Sequence, residues 1–190
     1  MAYHIYHTEA IVLATRDFSE ADKIFFLLTE QFGLVAASAR GVRLLSSKLR
    51  YALREKSVCL VDLVRGRDMW RIVNAYPSDK SPARLSPAGA LFLGRMSALV
   101  LRLVRGEGRN TSLYAVVREA LSFAAGDMPE GEMLRAEAAA GAKILHALGY
   151  WPEKHAGVIS APLRDAFGME ETVRREIVRE INASLRESHL

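Results

Sequence analysis

The first eighty residues break into five short apolar runs, each closed by a turn signal, and this spacing constrains the chain more than any other feature. His4 to Thr15 is rich in Ile, Val, Tyr and Thr, a strand composition, and Asp17-Phe18-Ser19-Glu20 reads as the turn that follows. Lys23 to Thr29 is an apolar run of strand length, with a reversal marked by Gly33. Leu34 to Arg40 carries small side chains suited to a tightly curved strand, ended by Gly41. Val58 to Val64 and Met69 to Ala75 flank Arg65-Gly66-Arg67-Asp68, a hairpin turn. Five such strands, with one longer excursion near residues 42 to 52, predict a small closed barrel.

The pattern then changes. Tyr76 to Gly89 holds Pro77, Pro82 and Pro87, which places a boundary there and predicts a domain over 1–78 and a second over 79–190. Ser86 before Pro87 is an N-cap and N1 pair, so a helix should run from Pro87 to about Val104, with Leu91, Met96, Leu99 and Leu103 at helical spacing. Further helices are expected over about 111–125, about 129–148 with a stop at Gly149, and 170–187. Between the last two, a Pro-Gly loop region is expected. The fold class is therefore α+β: a five-stranded barrel, then an all-α domain.

Several functions are excluded early. One cysteine, Cys59, allows neither an internal disulfide nor a cysteine-based zinc site, and a reducing cytoplasm is the expected setting. The longest apolar stretch, Met96 to Val104, is cut by Arg102 and is far short of the roughly 18 residues of a membrane span. The N-terminus lacks a basic n-region and reads as no signal peptide. Gly106-Glu107-Gly108 lacks the third glycine of a dinucleotide fingerprint, and Ser47-Lys48 lacks the glycines of a P-loop. No catalytic centre, cofactor or metal is expected.

The net charge of +4 favours polyanionic partners weakly, but its distribution says more. No acid lies between Glu30 and Glu55, while Arg40, Arg43, Lys48, Arg50 and Arg54 do. Residues 40–71 hold nine bases against three acids; from residue 81 onward 14 bases face 13 acids. Phosphate neutralisation needs several cations on one surface, and Ser46 and Ser47 can add hydrogen bonds. The competing reading is a solvated loop that keeps the protein soluble.

Other constellations also have two readings. Trp70, beside the Arg65-Gly66-Arg67 turn, is the preferred candidate for stacking on an unpaired base, although core packing is the commoner fate of a strand aromatic. Adjacent Phe25 and Phe26 must face opposite sides. Asp17, Glu20 and Asp22 could mark a metal-dependent hydrolase or nuclease, against a simple capped turn. His4 and His7 should not share a metal.

Residues 8–71 resemble the N-terminal domain of the RecO family. The resemblance lies in Arg16-Asp17-Phe18-Ser19-Glu20-Ala21-Asp22-Lys23, then Ala39-Arg40-Gly41-Val42-Arg43, then Ser47-Lys48-Leu49-Arg50. A looser echo is Leu148-Gly149-Tyr150-Trp151-Pro152. Two departures stand out: where many members carry a four-cysteine zinc module, Lys154 to Ala166 holds no cysteine, and the chain is short. The resemblance implies an OB-type barrel that binds single- and double-stranded DNA, anneals complementary strands and, with RecR, helps load RecA on DNA coated by single-strand-binding protein (SSB). It assigns DNA contacts to Arg40, Arg43, Lys48 and Arg50, with Arg16 and Lys23 also matching, although Lys23 could pair with a neighbouring acid. Arg65, Arg67 and Trp70 join them from charge and position. A site for the SSB C-terminal tail is expected on the helices. The alternative is an RNA-binding or ribosome-associated OB-fold protein.

Overall fold

A computed structural model describes residues 4–126, 129, 132–152 and 154–187. Five strands, β1 (Ile5–Asp17), β2 (Lys23–Thr29), β3 (Gly33–Ala39), β4 (Val58–Arg65) and β5 (Trp70–Pro77), close into a barrel of order β1-β2-β3-β5-β4. The expected α+β class and the OB-type barrel followed by helices are both observed.

β1 is long because it serves two partners. Its first half pairs with β4, from Ile5↔Val64 to Ile11↔Val58, and its second with β2, from Ala10↔Thr29 to Asp17↔Lys23. A bulge between Val12 and Ala14 turns the strand from one to the other, as bulges in barrels do. β3 then pairs with β5 in parallel at just two positions, Ala37↔Trp70 and Ser38↔Arg71, and this seam closes the barrel.

Period-2 alternation fills the interior. Val12, Phe25, Leu27, Val35, Val61 and Leu63 are buried there, and Ala10, Ala37 and Ala39 let the wall curve without crowding. Phe26 indeed takes the opposite face from Phe25 and is half-buried. Cys59 also points inward, where burial first and the Glu9 charge second push its thiol up to about 12. A thiol so protonated is no nucleophile.

A one-turn helix, α1 (Leu49–Ala52), sits inside the expected excursion between β3 and β4. The chain forms two compact units: the first runs to Ala83 and includes Arg105–Tyr114, and the second comprises Arg84–Val104 and Ala115 onward.

In the second unit, α2 (Pro87–Leu103) starts as predicted, the Ser86 side chain accepting a hydrogen bond from the Gly89 amide at 3.0 Å. Its buried face is Phe92, Met96, Val100 and Leu103; Leu91, expected on that stripe, is exposed. α3 (Thr111–Ala124), whose first turn to Tyr114 belongs to the first unit, buries Val117, Ala120 and Leu121 in the second. α4 (Met133–Ala147) stops where Gly149 adopts φ +78 and Tyr150 donates back to the Leu145 carbonyl. The expected start of this helix near 129 adjoins residues outside the described ones. The segment expected as a loop instead holds α5 (Ala156–Ser160) and a 3₁₀ helix (Leu163–Gly168), and α6 (Glu171–Glu187) follows. Lys143 of α4 is buried and donates to Glu119 Oε2 at 3.1 Å, while Glu119 Oε1 accepts from the Leu163 amide at 2.7 Å. This bonded pair ties α3, α4 and the 3₁₀ helix together.

Candidate nucleic-acid interface

The β-ladders bring the matched cations to one end of the barrel. Arg16 lies opposite Ile24, Lys23 opposite both Asp17 and Ala39, and Arg40 follows Ala39 directly. The loop after Arg40 is laced to the β1–β2 turn. Gly41, at φ +64, donates its amide to Asp22 Oδ1 at 2.8 Å, and the Arg43 amide donates to the Ala21 carbonyl at 3.0 Å. The Arg43 guanidinium in turn donates to the Ser19 carbonyl at 3.0 Å.

These bonds give Asp17 and Asp22 of the acidic group structural roles. Asp22 clamps the loop, and Asp17 lies between Lys23 at 3.4 Å and Arg43 at 3.5 Å. Among the described residues no group of three His, Cys, Asp or Glu side chains converges to hold a metal. His4 and His7 part company as expected: the His4 ring is edge-on to Tyr6, and His7 Nδ1 lies 2.6 Å from Asp62 Oδ1.

A cleft of ≈ 550 Å³ opens at this end. Lys23, Arg43 and Arg50 stand on its rim with Thr15, Leu45 and Glu55, and Phe25, Val42 and Leu53 line it from the barrel core. Arg16, Arg40, Lys48 and Arg50 make no ion pair with any described side chain. The two pairs on Asp17 are long and solvent-exposed, so each contributes little and can yield to an incoming phosphate.

Arg65 and Arg67 lie elsewhere. Because β5 runs parallel to β3 from Trp70 beside Ala37, the β4–β5 turn sits next to the start of β3, whereas Arg40 follows its end. Arg65 donates to Glu107 Oε2 at 3.2 Å and its guanidinium lies 5.2 Å from the Trp70 ring. Arg67 is exposed.

Trp70 is a correction. Only 2% of it is exposed, its ring packs against Tyr6 and Phe32 at centroid distances of 5.3 and 5.1 Å, and its Nε1–H donates to Glu107 Oε1 at 2.8 Å. Both ring faces and the polar edge are occupied, which leaves no surface for a base. The exposed aromatics of this unit include instead Phe18, at 59%, and Tyr51, at 67% with the Arg50 guanidinium 5.5 Å from its ring. Sequence reasoning did not single out Tyr51. Its position in α1, directly after Arg50, was the available signal, hidden because no helix was expected there. Glu107 was missed as well, since nothing in the sequence ties residue 107 to the barrel.

A closed barrel in which β3 and β5 meet in parallel, with a cation-rimmed mouth and helices downstream, defines an OB-type module joined to a helical unit. Residues 1–77 match the family described as Recombination protein O N terminal, so this N-terminal part is a domain of that type. The chain is 27% identical over 149 residues to the DNA repair protein RecO of Clostridium novyi (strain NT), covering 77% of this chain and 57% of that protein. The corresponding protein of Roseiflexus sp. (strain RS-1) is 29% identical over 156 residues, covering 80% and 53%. That of Nocardioides sp. (strain ATCC BAA-499 / JS614) is 41% identical over 71 residues, covering 37% and 29%. The chain spans about half the length of the curated relatives it matches along most of its own.

Proposed function

We propose that this chain is a DNA-binding protein of repair and recombination that acts by binding and aligning strands rather than by catalysis. The observation that carries the reading is the gathering of Lys23, Arg43 and Arg50 around one cleft, flanked by Arg16, Arg40 and Lys48 without ion pairs among the described side chains. Such a surface releases counterions when phosphates replace them, and it lowers the repulsion between two backbones that must meet. Arg67 extends the contact at the β4–β5 turn, with a smaller part for Arg65. The names of the relatives supply the repair context.

In its full form the proposal includes annealing of complementary strands and, with RecR, loading of RecA on SSB-coated DNA, in the cytoplasm at the nucleoid. For the SSB tail, the helical unit offers an open cleft of ≈ 480 Å³ lined by Phe123, Leu163 and Phe167, with Arg164 exposed beside them. An apolar slot with a cation at its edge suits the end of a short peptide.

The test is a fluorescence annealing assay with and without SSB, alongside titrations with labelled DNA and with RNA of the same sequence. Acceleration of annealing that disappears when the mouth cations are removed supports the proposal. Preferential binding of the RNA would favour a ribosome-associated or RNA-binding role instead.

A further inference from the structure

Resting on the reading of the cleft between Phe123 and Phe167 as the seat of the SSB tail, we infer that Glu119, neutralised by Lys143, is the positioning residue of that cleft. It holds the 3₁₀ helix that forms one wall at the spacing from α3 that the peptide end needs.

α3 supplies one side of the cleft, and the 3₁₀ helix (Leu163–Gly168) supplies the other. So short a helix, with the poorer hydrogen-bond geometry of its kind, has little stability of its own. Its placement is therefore set by what it touches. α3 meets it at two points one turn apart. Glu119 accepts a hydrogen bond from the Leu163 amide at 2.7 Å, and the Phe123 ring packs against the Phe167 ring at a centroid distance of 5.5 Å. Residues four apart lie on one face of a helix, so the carboxylate and the ring of α3 look the same way. Leu163 is buried, whereas Phe123 and Phe167 are half-buried and Arg164 is exposed. The anchored start of the 3₁₀ helix thus presents the residues after it where a ligand can reach them.

Lys143 is only 6% exposed and donates to the other oxygen of Glu119 at 3.1 Å. An ion pair with a member this deeply buried adds little net stability, since desolvation offsets the attraction and apolar residues of similar volume often serve as well. What this pair adds is geometry. Lys143, from α4, fixes the carboxylate in one attitude and leaves its second oxygen aimed at the Leu163 amide. It also cancels the charge of a residue that itself borders the cleft, so a peptide carboxylate beside Arg164 meets no opposing carboxylate.

The experiment titrates the full chain with a labelled SSB C-terminal tail peptide and compares two double variants. Lys143→Met with Glu119→Gln removes both charges and keeps an acceptor for the Leu163 amide. Lys143→Met with Glu119→Ala removes the acceptor as well. The first should bind the peptide within about two-fold of the parent and the second about ten-fold more weakly, the scale of one lost hydrogen bond. Equal DNA binding and cooperative unfolding identify both as folded. Equal peptide affinity in the two variants would overturn the positioning role and leave the cleft reading intact. A second measurement needs no variant. Coupling is reciprocal, so a contact that raises peptide affinity is tightened by the peptide, and amide exchange at Leu163 should slow about ten-fold at saturation. Exchange at Leu163 unchanged by bound peptide would also overturn the inference. Failure of the parent to bind the peptide would overturn the cleft reading and the inference together.

Discussion

The two ends of the barrel carry arginines into opposite circumstances. At the β1–β2 end, Arg16, Arg40 and Arg50 meet no described carboxylate, and Arg43 shares the exposed Asp17 with Lys23. At the β4–β5 end, Arg65 is paired with Glu107, whose other oxygen holds buried Trp70. The segment that brings Glu107 is packed tightly: the Gly108 amide donates to the Phe32 carbonyl at 3.1 Å, and a Cβ on Gly33 would overlap the Gly108 carbonyl. One end is closed by the chain itself and the other is left open with its charge unspent. A count of basic residues along the sequence treats the two alike; their partners separate them.

The largest expected effect tests the open end. Arg40→Ala, Arg43→Ala and Lys48→Ala together should weaken DNA binding about a hundred-fold near ~0.1 M salt, with a salt slope shallower by about two to three. Unchanged affinity in a folded triple variant would remove this surface from consideration. At the closed end the effect should be on stability. Gly33→Ala forces a side chain into φ +70 against the Gly108 carbonyl and should cost more than about 1 kcal/mol, read by thermal or denaturant unfolding. A variant as stable as the parent would mean that the 105–114 segment is not held there.

Charge loss at the closed end should matter less. Arg65→Ala with Arg67→Ala is expected to weaken DNA binding by less than about ten-fold, since Arg65 is already paired and only partly available. A drop equal to that of the first triple variant would erase the distinction between the ends. The smallest effect lies in the helical unit. Hydrogen bonds from Arg174 and Arg175 hold the Glu171 carboxyl down at about 2, below the usual carboxylate range. A depressed carboxylate stabilises the fold above its unfolded pKa and loses that contribution as pH falls through its folded value. The window therefore runs from about 4.5 down to about 2. Glu171→Gln should flatten the acid dependence of melting there, slightly, because the pair is solvent-exposed.

Much of the fold was legible in the residues. Strand composition and turn residues marked all five strands, and Ser86-Pro87 and Gly149 marked helix ends, because these signals act locally. What escaped depends on distant partners. Trp70 looked like a platform because its sequence neighbours are arginines, but its environment is made by Tyr6, Phe32 and Glu107. Glu171 takes Arg174, three positions on, as well as Arg175, four on, a sharing that residue spacing alone does not fix. α1 and the 3₁₀ helix are too short to show a period. The cleft is a property of closure: Thr15, Lys23 and Arg50 become neighbours only once the sheet is rolled.

That closure rests on the seam of two residue pairs, Ala37↔Trp70 and Ser38↔Arg71, reinforced by the Ser38 hydroxyl donating to the Trp70 carbonyl at 3.4 Å. The β1–β2–β3 meander and the β4–β5 hairpin can each form from contacts close in sequence, whereas the seam must join residues more than thirty positions apart and pay that loop entropy for little local return. It is thus a late step on the way to the native state and an early one on the way out. Amide exchange at Trp70 and Arg71 should accordingly run ahead of exchange in the middle of β2, so the barrel breathes along one line rather than melting evenly around its circumference.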